Sequence, residues 1–130
     1  MIILDTHIWI WWADETSKLS TEYEALLHSK QNGGLGVSAI SCWEVALLRK
    51  KLQIDFSVPI LEWLEASLSL PHIELLPLSP RIAVESNNLP GLFHKDPADR
   101  IIVATARVYG CPIVTYDSKI LEYTHVECLP

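Results

Sequence analysis

Five carboxylates of this chain stand at positions where acids do chemistry more often than solvation. Asp5 directly follows the apolar run Ile2-Ile3-Leu4. Asp117 sits two residues beyond Thr115 in Val114-Thr115-Tyr116-Asp117. Glu44 lies in Ser41-Cys42-Trp43-Glu44, just after a second apolar run. Asp96 and Asp99 open a long helical pattern in His94-Lys95-Asp96-Pro97-Ala98-Asp99-Arg100. Carboxylates brought together repel, because like charges at short range disfavour ionisation. A hard divalent cation, Mg²⁺ or Mn²⁺, relieves that repulsion through oxygen ligands. Such a site activates water and offsets charge on a phosphodiester. Each acid also has a plainer explanation. Asp96 fits a helix N-cap followed by Pro97 at the first helical position. Ser41 and Glu44 fit a capping box, Asp117 a cap for a short helix from Ser118, and Asp5 the start of a turn. Those explanations do not account for the acids gathering at one end of a sheet.

The elements that must position them alternate. Short strands are read at Ile2–Leu4, Leu35–Val37, Ile73–Leu76 and Ile113–Thr115, with a fifth at Val126–Cys128. Helices are read at about 21–30 with Ser20 as cap, at 39–52, at 57–70, after Pro80, and at about 97–109 before Gly110. Apolar strands separated by helices imply βαβ units and a parallel sheet covered on both faces. The expected fold class is therefore α/β: three layers, α/β/α, around a mostly parallel sheet of four or five strands. In such sheets ligands bind beyond the carboxyl ends of the strands, where Asp5 and Asp117 fall.

The bulk properties exclude several classes. The 130 residues suit one domain, 1–130. A net charge of −6 argues against a broad basic face for nucleic acid. The run Ile8-Trp9-Ile10-Trp11-Trp12 is too short to span a bilayer. No basic segment precedes it, so the cytoplasm is the expected compartment, without membrane association. Cys42, Cys111 and Cys128 form no CxxC and read as buried free thiols. The histidines lack HExxH spacing, and neither a phosphate-binding glycine loop nor a nucleophile elbow is present.

Leu4-Asp5-Thr6-His7, Ser41 to Glu44, Asp96 through Ala106 and Val114 to Asp117 together resemble the PIN domain, and more narrowly the VapC-type toxins of bacterial toxin–antitoxin pairs. The resemblance spans nearly the whole chain. It implies a compact α/β/α metal-dependent endoribonuclease that hydrolyses RNA phosphodiesters using Mg²⁺ or Mn²⁺. The family's acidic quartet falls on Asp5, Glu44, Asp99 and Asp117, with Asp96 an additional acid that is either a ligand or a cap. Thr115 resembles the hydroxyl residue supporting the last acid, and Thr6 lends a hydroxyl near the first. The resemblance also implies an RNA substrate, a homodimer and a cognate antitoxin over the cleft. Lys95 and Arg100, beside the acids, are candidates for substrate contact. His7 and His94 flank ligand positions and are read either as phosphate or proton-transfer groups or as packing residues. Arg49-Lys50-Lys51 is either a phosphate contact or a complement to the helix dipole. Trp9, Trp11 and Trp12 are read as base-stacking residues, or as core plus a protein interface, which the five tryptophans favour. Two alternatives remain: a non-catalytic PIN-like binding module, and a receiver-type phospho-acceptor domain. The second needs paired early acids and a lysine after a late strand.

Overall fold

Three consecutive aliphatic residues, Ile2–Leu4, form strand β1 and are buried on both sides. The computed structural model describes residues 1–15 and 18–130. The remaining strands are β2 (Leu35–Ser38), β3 (Ile73–Leu76) and β4 (Ile113–Val114). They pair in the order β3-β2-β1-β4, all parallel. Leu35 pairs with Ile2 and Val114 with Leu4. The fifth strand expected at 126–128 is reduced to a single bridge between Ile113 and Cys128.

Successive side chains of a strand point to opposite faces, and two cores result. Ile2 and Leu4 join one core with Ile8, Trp9, Leu27 and Trp63. Ile3 joins the other with Leu76, Ile82, Ile102, Val103 and Ile120. Helices α1 (Thr6–Ala13), α2 (Thr21–Lys30) and α4 (Ile60–Leu68) cover the first face. Helices α5 (Pro80–Ser86), α6 (Pro97–Tyr109) and α7 (Ser118–Leu121) cover the second. Helix α3 (Ala39–Lys50) straddles the boundary, placing Val45 in the first core and Ile40 against the second. The three-layer α/β/α reading holds.

Local chemistry explains most element ends. Ser20 accepts the Tyr23 N–H at 3.1 Å and so caps α2. Gly110 closes α6 in the left-handed conformation, φ 66°. Pro59 precedes α4, which is shorter than the 57–70 pattern suggested. Helix α1 was not legible, because an apolar run without interruption has no 3.6-residue period to read. Its Trp9 is fully buried and stacks obliquely on buried Trp63, so these two tryptophans are core and not interface. The three cysteines are free but only half-buried, less enclosed than the sequence suggested. Among the described residues no helix is long and apolar enough to cross a membrane.

Candidate active site

The chain adds β2 and β3 on one side of β1, then returns to place β4 on the other. A reversal of this kind leaves a crevice at the carboxyl ends of the two strands where it occurs. Asp5 leaves β1 at that point, and Thr115-Tyr116-Asp117 leaves β4.

Asp5 caps α1. Its Oδ1 accepts the Thr6 N–H at 2.8 Å and its Oδ2 accepts the Thr115 hydroxyl at 2.6 Å. Thr115 Oγ1 in turn accepts the Asp117 N–H at 2.9 Å. One buried hydroxyl thus ties the ends of β1 and β4 together. Thr115 supports the first acid through its side chain, and meets the last only through that residue's backbone. Asp117 caps α7, its Oδ1 accepting from Lys119 N at 2.8 Å, as expected for a short helix at Ser118.

Glu44 departs from its expected cap role. The N-cap of α3 is Ser38, whose Oγ accepts the Ile40 N–H at 3.3 Å, so no capping box forms at Ser41. Ser41 is instead fully buried. The Thr6 hydroxyl lies 2.5 Å from Glu44 Oε1 and 2.9 Å from Ser41 Oγ. A carboxylate only accepts, so Thr6 donates to Glu44 and Ser41 donates to Thr6. Sequence reasoning passed over Ser41 as a positioning group. Its apolar-flanked place one turn before Glu44 was the available signal.

Asp96 caps α6, with Oδ1 accepting from Ala98 N at 2.9 Å and Asp99 N at 3.2 Å. Pro97 holds the first helical position. Asp99 faces inward, its side chain 14% exposed, with His94 Nε2 3.0 Å from Oδ2. That approach is off the hydrogen-bond line, and among the described residues the nitrogen has no hydrogen-bond partner. The candidate Arg100 is occupied elsewhere: its Nε donates to Ser86 O at 2.9 Å and its Nη1 to Phe93 O at 3.1 Å and His94 O at 3.2 Å. Those two nitrogens brace the end of α5 and the loop before α6. Lys95 is exposed beside Asp96. Arg49 pairs with Asp55 at 3.1 Å, and Lys50 is exposed at the end of α3. His7 is exposed.

Electrostatics bind the acids into one unit. Burial, then the charges of Asp5, Asp96, Asp117 and Glu44, push the Asp99 carboxyl up to about 7. Asp5 is raised by burial, against the opposing hydrogen bonds of Thr115 and Thr6. Glu44 is raised by burial, partly offset by Thr6. Among the described residues no Lys or Arg forms an ion pair with any of these acids. Nor do three His, Cys, Asp or Glu side chains among them form a ready metal cage. The donor set is nonetheless all oxygen, anionic and short of counter-charge, which is what a hard divalent cation requires. Asp5, Glu44, Asp99 and Asp117 fit such an ion by chemistry. Asp96 commits one oxygen to the helix backbone.

A doubly covered parallel sheet with acids at its switch point defines the class, and the family model for the PIN domain matches residues 2–126. The chain belongs to the PIN domain family. It is 34% identical over 125 residues to Ribonuclease VapC22 of Mycobacterium tuberculosis (strain ATCC 25618 / H37Rv), covering 95% of this chain and 92% of that protein. Its fold is similar to that in VapBC2 from Rickettsia felis bound to a promoter DNA fragment, with TM-score 0.67, 20% identity and coverage of 99% and 98% of the two chains. It is also similar to that in a toxin–antitoxin complex from Klebsiella pneumoniae, with TM-score 0.67, 21% identity and coverage of 97% and 95%.

Proposed function

We propose that this chain is a divalent-cation-dependent endoribonuclease, a single nuclease domain over residues 1–130 that serves as the toxin of a cytoplasmic toxin–antitoxin pair. The observation that carries the reading is the convergence of Asp5 and Asp117, at the ends of β1 and β4, with Glu44 on α3 and Asp99 on α6, with no Lys or Arg among the described residues paired to them. The relationship to Ribonuclease VapC22 supports RNA as substrate. Folds shared with VapBC2 and the Klebsiella pneumoniae complex support an antitoxin partner. A homodimer is part of the same reading, favoured by exposed apolar residues such as Trp43 and Val84.

Asp5, Glu44, Asp99 and Asp117 would hold Mg²⁺ or Mn²⁺, which would supply Lewis acidity, offset phosphodiester charge and lower the pKa of a water so that hydroxide is available near neutral pH. The protein's part is positioning. Thr115 and the Thr6 N–H fix both oxygens of Asp5. The Ser41–Thr6 relay fixes Glu44. The α7 backbone fixes Asp117. Held acids do not reorganise when the charge of the reaction develops. With a net charge of −6, the protein would draw RNA phosphate through a bound cation and local cations such as Lys95, not through a basic face.

The receiver-type alternative fails on the family match and on Asp117, which stands where that chemistry needs a lysine. Cleavage of single-stranded RNA by purified protein in Mn²⁺ and in EDTA separates the enzyme from a non-catalytic binding module. The expected result is cleavage in Mn²⁺ that disappears in EDTA and in Asp5→Asn. Asp99→Ser loses nearly all activity, whereas Asp96→Ser, which still caps α6, keeps most of it. A wild-type protein that binds RNA and leaves it intact overturns the proposal. Equal loss in both serine variants makes Asp96 a fifth ligand.

A further inference from the structure

Beside the acids, on the side of Asp5 and Asp117, the aromatic side chains form a row. His7 follows Asp5 by two residues, and its ring centroid lies 5.7 Å from that of Trp11. Trp11 lies 5.6 Å from Tyr116, and Tyr116 lies 4.8 Å from Tyr23. Tyr116 is the residue between Thr115 and Asp117, and His7 is in the first turn of α1 beside Asp5, so the row passes close in sequence to both acids before it reaches Tyr23 on α2.

The row is anchored at two hydroxyls and exposed at His7 and Tyr116. The Tyr116 hydroxyl accepts the Ser20 N–H at 2.9 Å, and the Tyr23 hydroxyl donates to Thr115 O at 3.2 Å. Both phenols are therefore anchored at their tips. Tyr116 remains 42% exposed and His7 is exposed. Trp11 and Tyr23 pack part-buried against the first core, whereas Tyr116 and His7 are not among its residues. A fixed, half-bare aromatic surface is what stacked bases use, because every base has a π face and ring-on-ring stacking tolerates sequence.

A phosphodiester seated at the acids carries a nucleoside on each side. We infer that His7, Trp11 and Tyr116 form a stacking platform for the nucleobase on the Asp5/Asp117 side of the cleaved phosphodiester. This inference rests on the ribonuclease reading above. The platform positions the strand and makes no contact with the reacting atoms. It acts on an unpaired base, since a base within a duplex is already stacked on its neighbours.

The test is an abasic scan. A short single-stranded RNA that the wild-type protein cleaves is remade with one abasic nucleotide at each position around the cleavage point. Each strand is assayed against wild type, Tyr116→Leu, Trp11→Leu and Tyr116→Phe in Mn²⁺. One abasic position is expected to cost wild type about tenfold in kcat/KM, mostly through KM, within the range of one lost stack. Tyr116→Leu and Trp11→Leu lose a similar factor on the intact strand and nothing further on that abasic strand. Tyr116→Phe, which keeps the ring, stays near wild type. Abasic strands cleaved as fast as the intact one at every position overturn the inference and leave the nuclease standing. So do losses that multiply when variant and abasic strand are combined, or leucine variants that weaken only the binding of a partner protein. If Trp11→Leu misfolds, the wild-type scan and the two Tyr116 variants decide. A wild-type protein that cleaves no RNA removes the ribonuclease reading, and the platform with it.

Discussion

Thr115 has one hydroxyl and two duties, donating to Asp5 Oδ2 and accepting the Asp117 N–H. Thr115→Val removes both bonds while keeping the shape. It is expected to cost about 1–3 kcal/mol of stability, the range for leaving buried partners unsatisfied. Cleavage should fall about tenfold or more, as when other groups that orient metal ligands are lost. Thr115→Ser should restore both, and thermal melting with an RNA cleavage assay checks the pair. Asp99 gives a pH prediction. Its carboxyl titrates at about 7 in the fold, against 3.8 for the ordinary group. The folded state therefore binds more protons than the unfolded chain between those values. The stability linked to Asp99 is complete below about pH 4 and declines as pH rises through 7. Asp99→Asn, measured in EDTA, should raise Tm progressively more over that interval and by a constant amount above it. Protons also compete with the cation, so wild-type affinity for Mn²⁺ should be weaker at pH 6 than at pH 8. The position of Asp5 directly after β1 was legible in the sequence, since charge there is costly without a purpose. The supports of the acids were less so. That Thr115 turns to Asp5, and that Ser41 serves Glu44 through Thr6, depends on contacts spanning 110 and 35 residues, which local spacing does not encode.

Strand β2 runs between β1 and β3, and Gly36 at its centre is a matter of clearance. A Cβ there would stand 2.8 Å from Leu76 Cδ1 and 2.9 Å from Ile3 Cδ1. Gly36→Ala should therefore destabilise by about 1–3 kcal/mol through overpacking, read as a lower Tm without metal. The end of α3 offers the opposite case. Leu52 holds φ 56° and is 80% exposed, so its side chain contributes little packing while its backbone is strained. Leu52→Gly should raise stability by up to about 1 kcal/mol, because glycine takes the left-handed conformation without that cost. Chemical denaturation of both variants checks the opposite signs. Element boundaries were legible wherever a cap or a breaker marks them, as at Ser20, Pro97 and Gly110. Helix α1 was hidden because Thr6–Ala13 is apolar on nearly every side, a feature of helices sunk into a core. The β4 side of the sheet was overread at 126–128, where the chain makes one bridge and turns away.

At the scale of the whole molecule, the parallel sheet and its two helical layers were readable from the alternation of strands and helices. The strand order was not, because nothing local says that β4 returns past β2 to lie beside β1. That return brings β4, and with it Asp117, beside the Asp5 end of β1. Asp5 and Glu44 come from the first part of the chain, and Asp99 and Asp117 from the last, joined by a segment in which Leu92 is 99% exposed. Arg100 clasps Ser86 O from across that segment, and β4 pairs with β1. A cut between Gly91 and Leu92 therefore leaves two pieces, each with half the acids and each with a surface for the other. Neither piece alone should cleave RNA, and co-expression of 1–91 with 92–130 should restore cleavage, measured on the same strands in Mn²⁺. The nuclease then behaves as a logical AND gate: its output follows the product of two concentrations, and either input alone is silent.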